Sequence, residues 1–453
     1  MERDIPSQQP LSRRMFLDRS LSSLALLTAA SAGLPALSAS SAAGAPAKSE
    51  KMAQAPASLK DVTLRYWDFI DPKIPGPRTE ALRQIQENFS KKTGVRLNVE
   101  IMPDPLIEPN MIQAAAAGRT PDIVRITVRA LSLHVGAKTI MPLNDLAAKL
   151  PKDDWLVSWN THVYDGRKMG IPIENRCERL WYRKDYLENA GIKVPASLDE
   201  LGRAGKTLTR GRVLGFIWGL SKANRSASFE TAFVPLLWDA GGDLLDKNGK
   251  AAFNSEAGVR VFQWMRDMVY KYQGLPKEAV AYHYNNTVDG VKSGAIAMAF
   301  AGTHRIVATR NAGGLGGNLQ SAPVPGFEPG KPSPANIAGW VYAIGKDSKQ
   351  PEAAWAYIEH AVNQESQVIN ARVGGELPSR KSTYSDPWFK TAEAAELLSW
   401  KDYMDKGGRS MQYPEKYLEG MEYLADQAAE VILNNKPIKQ ALDDAAKKYN
   451  TIA

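Results

Sequence analysis

The chain has 453 residues, a formal charge of +8, 44% apolar residues and a single cysteine. One cysteine excludes an intramolecular disulfide, and lysines and arginines scattered among acids lack the clustered stripe that nucleic-acid binding needs. Setting aside an N-terminal leader leaves roughly 400 residues, more than one core usually serves, so two domains are expected.

The leader contains "LSRRMFLDRSLSSLALLTAASAGLPALSAS", starting at Leu11. Arg13 and Arg14 stand between Ser12 and the pair Phe16-Leu17. A moderately apolar stretch, Leu21 to Leu27, follows, and then an Ala/Ser-rich tail to Ala47 with several A-x-A-like cleavage sites. This is the pattern of a twin-arginine secretory signal over residues 1–47, which directs a folded protein to the periplasm. The apolar run is too short and too broken by serine to span a bilayer core of about 30 Å. No cysteine lies near the cleavage region to carry a lipid. Arg3, Arg13, Arg14 and Arg19 outnumber Glu2, Asp4 and Asp18 by one, so the mature part keeps a charge of +7. That balance suits anionic ligands or surfaces, weakly. Cys177 reads as a buried structural thiol.

The mature part opens with "VTLRYWDF", where Val62, Leu64 and Tyr66 alternate with Thr63, Arg65 and Trp67 at strand period. A Pro/Gly-rich loop leads into "TEALRQIQENFSKKTG", whose Leu82, Ile85 and Phe89 share a helical face and whose Gly94 is a stop. "VRLNVEI" is again a strand, and strand-helix-strand predicts a parallel βαβ unit. "MIQAAAAG" predicts a helix, "PDIVRI" a strand, and "MPLNDLAAKL" the start of another helix. "MGIPIENRCERLWYRKDYLENAG" holds a strand, a connection and a strand-helix pair. Ser197 and Glu200 form a capping box, Asn254 is expected to cap the helix after it, and Pro351 opens a further helix at its first turn. The last sixty residues are mostly helical. The class is α/β, in two lobes.

Catalytic signatures are missing. His134, His162, His283, His304 and His360 show no metal-ligand spacing. "GRAGKT" falls in a helix and lacks the first glycine of a phosphate loop. "GGLGGN" lacks the third glycine of a dinucleotide fingerprint, and no Gly-x-Ser-x-Gly elbow occurs. No cofactor and no metal is expected. A pair of glycosidase carboxylates is not readable, because their separation is spatial.

Several phrases, in order, resemble the solute-binding proteins of ABC importers, specifically the large carbohydrate-binding family that includes maltose-binding protein. They are "ENFSKKTGVRLNV", "AAAAGRTPDIV", "AKTIMPLNDL", "GIPIENRCERLWYRKDYLENAGI" with "VPASLDEL", "SGAIAMAFAGTH", "ANIAGWVYAI", "GGELPSR" and "KPIKQALDDAAKKYN". The resemblance implies the two-lobe periplasmic binding protein fold of type II, with a hinge crossed near Ile171–Glu174, Ala335–Val341 and Asp386–Lys390. It places residues 58–172 plus 341–388 in an N-terminal lobe and 173–340 plus 389–453 in a C-terminal lobe. It implies a ligand held between closing lobes, with no bond made or broken.

Sugar recognition needs aromatic faces for C–H surfaces and planar polar groups for hydroxyls. Trp67 and Asp68 end the first strand, at the edge that faces the cleft, although Trp67 is equally readable as core. Trp340 lies at the second crossing, and Glu174, Asn175 and Arg176 lie just after the first. Arg125 and Arg129 follow "PDIV", while Asp122 is expected to tie loop amides. His304 stands where many relatives have tryptophan, which puts a stacking platform there in doubt. Trp238, equally readable as core, and Arg380, Tyr413 and Tyr417 complete the candidates. Two arginines converging on one site would need a carboxylate such as Glu174 or Asp68 between them, or an acidic sugar. The expected function is a periplasmic substrate-binding subunit for a sugar or small oligosaccharide, including an acidic one. Its expected partners are the permease subunits of an ABC importer in the inner membrane, and a monomer is expected. The rivals are an exported enzyme such as a glycosidase, and a binding protein feeding a signalling receptor.

Overall fold

The computed structural model describes residues 59–223 and 227–452. The leader lies outside the described residues. The strands are β1 (Thr63–Asp68), β2 (Arg96–Ile101), β3 (Ile123–Thr127), β4 (Val163–Tyr164), β5 (Arg167–Lys168), β6 (Ile171–Pro172), β7 (Glu174–Asn175), β8 (Glu178–Arg183), β9 (Met298–Gly302), β10 (Leu319–Ala322), β11 (Trp340–Ile344) and β12 (Leu377–Pro378). β1, the helix α1 (Pro77–Thr93) and β2 form the expected parallel βαβ unit, in register from Thr63↔Arg96 to Asp68↔Ile101. α1 buries Ala81, Leu82, Ile85 and Phe89, and Gly94 ends it in the left-handed conformation at φ 79°. A large apolar side chain buried this way contributes about 1.5–3 kcal/mol.

The first sheet has the order β2-β1-β3-β11-β6. It is mixed, because β11 returns antiparallel to both β3 and β6. The second sheet, β10-β8-β9, is antiparallel. Helices pack around both, which gives the α/β two-lobe architecture. Tyr66, Ile123, Ile171, Tyr342 and Ile344 belong to one apolar core cluster with Phe89 and Tyr357. Trp67, Val124, Ile126 and Val341 belong to another, which continues to Leu180, Trp181 and Phe300 of the second sheet.

The segments joining the sheets are hydrogen-bonded to one another. β7 pairs antiparallel with β12. Arg176 and Ala338 exchange backbone hydrogen bonds of 2.9 and 3.0 Å, and the Ile173 amide donates to Trp340 at 3.0 Å. Gly339 lies inside this ladder, where a Cβ would collide with the carbonyl of Glu174.

Two local expectations fail. "MPLNDLAAKL" forms only a 3-10 turn, Leu146–Lys149. Asn144 is tied instead to the β4–β5 hairpin, donating to Gly166 and accepting from the Lys168 amide, and Pro151 follows at once. Asn254 is not a cap either. Its amide donates to Asp443 at 2.9 Å, and Ser255 precedes the helix Glu256–Tyr270. The Ser197 cap forms as expected, accepting from the Glu200 amide at 3.2 Å, while the Glu200 carboxylate takes the amide of Ala196 at 2.8 Å. Asp122 holds the amide of Arg65, in β1, at 2.9 Å.

Candidate functional site

The C-terminal ends of β1 and β3 meet the joining segments. Alternation along β1 sends Asp68 and Trp67 to opposite faces. Asp68 is fully buried, accepts from the Tyr66 hydroxyl and the Ile70 amide, and lies 4.0 Å from Arg125. Trp67 turns away. Its Nε1 donates to Glu100 of β2 at 2.7 Å, and its ring packs in the core.

Past Asp68, the half-buried Phe69 lies against Trp340, with ring centroids 4.1 Å apart and planes 30° from parallel. Three guanidinium groups surround this aromatic pair. Arg125 is 5.2 Å from Phe69 and 5.8 Å from Trp340, Arg78 is 5.6 Å from Phe69, and Arg176 is 5.6 Å from Trp340. Such contacts contribute about 0.5–2 kcal/mol each. Trp340 Nε1 is buried without a hydrogen-bond partner among the described residues.

Charges buried this deeply must be matched. Arg125 lies 2.9 Å from Glu174 and 3.9 Å from Glu376. Arg78, in the first turn of α1, pairs with Glu376 and is 3.7 Å from Glu174. Burial works to raise the Glu174 carboxyl, but Arg125, a hydrogen bond with Glu376 and Arg78 outweigh it and hold it low. Burial wins at Glu376, which is pushed up.

Arg176 differs. Among the described residues no carboxylate lies within 4.0 Å of its guanidinium; its contacts are Trp340 and His304, whose Nε2 is 3.4 Å away. His304 stacks on Tyr284 at 5.8 Å, and burial, then Arg176, keeps the imidazole neutral well below its usual range. Glu178 is nearby and half-buried, with Oε2 enclosed and unpartnered; burial raises it to about 7 against the pull of Arg176. Asp104, at the start of α2 (Asp104–Ala116), is raised by burial while Arg129, Arg176 and Arg78 oppose the shift.

Arg129, in the turn after β3, forms a 2.6 Å ion pair with Glu230 of the helix Ala227–Asp239. Tyr413 and Tyr417 meet edge-to-face at 4.7 Å, and burial, then the charge of Glu230, raises both phenols. Asn175 donates to the Pro378 carbonyl at 3.2 Å. It lines a small cavity with Glu174, Ala338, Gly339 and Tyr413, with room for about one water.

The structure therefore brings together Asp68, Arg125, Glu174, Arg176, His304 and Trp340, with Arg129, Asn175, Tyr413 and Tyr417 alongside. It does not bring in three candidates. Trp67 is in the core; Trp238 donates to Asp243 at 3.2 Å and packs beneath Arg409; Arg380 pairs with Asp154 at 2.6 Å. Sequence reasoning missed Phe69, Arg78, Glu178, Glu230, Tyr284 and Glu376. Phe69 adjoins a candidate and Glu376 lies within the quoted "GGELPSR", so both were within reach. Arg78 and Glu230 carried no signal. The premise for an acidic sugar also weakens, because Glu174 and Asp68 lie against Arg125 and Glu230 lies against Arg129. Cys177 is buried, and desolvation pushes its thiol up to about 12.

Two lobes joined by paired strands, with aromatic and guanidinium groups gathered at the junction, are the geometry of a binding protein. The family model for bacterial extracellular solute-binding proteins matches residues 84–397. The chain belongs to that family. Similar to this solute-binding protein is the arabinooligosaccharide-binding protein of Bacillus subtilis (strain 168), 22% identical over 317 residues, which are 67% of this chain and 70% of that one. The diacetylchitobiose binding protein of Streptomyces coelicolor is 24% identical over 312 residues, again 67% and 70%. The maltose-bound structure of T. maritima MalE3 superposes with a TM-score of 0.75 at 23% identity, covering 86% of this solute-binding protein and 100% of that chain. Its likeness establishes the fold. These relatives are binding proteins, and no helix among the described residues is long and apolar enough to cross a membrane.

Proposed function

We propose that this protein is the periplasmic substrate-binding subunit of an ABC importer, capturing a sugar or small oligosaccharide and delivering it to a membrane permease. The Phe69–Trp340 pair, set among guanidinium and carboxylate groups at the junction of the two sheets, carries this reading. An aromatic face suits the C–H side of a sugar ring, and planar forks suit its hydroxyls. The Trp340 indole N–H is a donor that a ligand oxygen would satisfy. The lobes divide at residues 58–172 plus 341–388 and 173–340 plus 389–453, and a ligand enters when they part. Export follows the twin-arginine route, and the protein acts as a monomer without catalysis. Matched ion pairs at Arg125 and Arg129 favour an uncharged ligand.

A thermal-shift panel tests the reading, with arabino-oligosaccharides, N-acetylated chitobiose, maltodextrins, polyols and uronates as probes. A ligand at a hundred times its Kd adds about 2.7 kcal/mol to the native state, so one class should raise Tm clearly. No rise with any sugar or polyol refutes the reading.

A further inference from the structure

Glu174 lies on β7, and Glu376 immediately precedes β12, the strand paired with it. Their carboxyls are 1% and 3% exposed and share two guanidinium groups: Arg125 lies 2.9 Å from Glu174 and 3.9 Å from Glu376, while Arg78 pairs with Glu376 and lies 3.7 Å from Glu174. The charged groups facing them are Arg78 from α1, Arg125 from β3, Asp68 from β1 and Arg176 after β7. Asp68 also takes part of the Arg125 charge. The two guanidinium groups in direct contact, Arg78 and Arg125, thus face three carboxyls, Asp68, Glu174 and Glu376. Within ion-pair range one negative charge is in excess, in a site with little water, and Arg176 offsets it only from beyond 4.0 Å. Like charges in contact do not both ionise there.

We propose that Glu174 and Glu376 share a single proton, and that Glu376 and Arg78 act as positioning residues that hold Glu174 and Arg125 toward the ligand. The proton resides on Glu376, which lies nearer Arg78 but farther from Arg125, the guanidinium 2.9 Å from Glu174, and it donates to Glu174. The upward displacement of Glu376 by burial, to about 8, agrees with this arrangement. The positioning role rests on the Phe69–Trp340 cluster being the ligand site, whereas the shared proton does not.

The linkage has a definite sign. Glu376 titrates higher in the folded protein than in the unfolded chain, so folding takes up a proton. The stability it contributes is complete below about 4.5 and is lost as pH rises through about 8. Glu376→Gln supplies a permanent donor and removes that dependence. Thermal unfolding of the full mature protein from pH 5 to pH 9 should show the variant gaining several degrees on the wild type as pH rises. Parallel curves would overturn the shared proton. Should the variant not fold, infrared spectroscopy in a Glu178→Gln background decides, because Glu178 is itself raised to about 7: a protonated carboxyl band at pH 7 is still expected, and its absence overturns the proposal. For the sugar returned by the panel, Glu376→Ala should lose at least tenfold in affinity and Glu376→Gln should recover it. Equal affinities would overturn the positioning role. A panel without a hit overturns the functional reading and the positioning role together, while the first two readouts decide the proton.

Discussion

Arg125 and Arg176 both flank Trp340 and carry the same group, yet their removal should have opposite consequences. Arg125 is buried against Glu174, with Asp68 and Glu376 close by. Arg125→Ala strands those carboxylates and should cost about 3–5 kcal/mol of stability. Arg176 has no carboxylate in ion-pair range among the described residues, so Arg176→Ala should cost only about 1 kcal/mol, from its contact with the indole. It should nonetheless lose at least tenfold in sugar affinity. Denaturant unfolding and calorimetry on the two variants separate the roles, and equal stability losses would contradict the assignment. This contrast was not readable in the sequence, where both were arginines near strand ends. The partners Glu174 and Glu376 are 49 and 251 positions from Arg125, and only the fold makes them neighbours. The opposite directions of Trp67 and Asp68 were readable, because adjacent strand residues cannot face the same side.

Among elements, local chemistry was legible where it acted alone. α1 with its Gly94 stop, the βαβ unit and the Ser197 cap all follow from neighbouring residues. The failures at 142–150 and Asn254 occur where a distant group captures the side chain, Lys168 in one case and Asp443 in the other. The antiparallel return of β11 was hidden for the same reason. Gly339, just before β11, now acquires a reason: the ladder between 173–176 and 338–340 brings backbones into contact. Gly339→Ala should force the strands apart at a cost of about 1–3 kcal/mol, and should weaken ligand binding as the arginine and tryptophan on either side shift. Gly407→Ala, where a Cβ meets nothing within 4 Å, is the control and should change stability by less than about 0.5 kcal/mol. Thermal unfolding of the pair decides it. Indistinguishable melting curves would mean the hinge ladder yields freely.

At the scale of the whole molecule, the two-lobe class was legible from ordered phrases spread along nearly the whole mature chain, whereas contacts between the lobes were not. Export is tested by changing Arg13 and Arg14 together to lysine, since a receptor for the paired guanidinium groups would then leave the precursor in the cytoplasm. Undiminished protein in the periplasmic fraction would rule that route out. Closure has its own handle. The 2.6 Å pair of Arg129 with Glu230 joins the turn after β3 to the helix Ala227–Asp239, and Ser132 reaches the Pro414 carbonyl at 2.9 Å nearby. With the lobes divided as proposed, both contacts break when they part. Glu230→Gln keeps the shape of the side chain but removes its charge, so it should shift the ligand-free protein toward an open form. Small-angle scattering should then give a larger radius of gyration than the wild type, and saturating sugar should bring both proteins to the same compact value by adding contacts that only the closed form makes. Affinity should fall in step, because part of the binding energy is drawn off to close the variant. A radius that changes neither with the substitution nor with ligand would mean that the lobes do not move, and that the Arg129–Glu230 pair is a fixed part of a rigid interface.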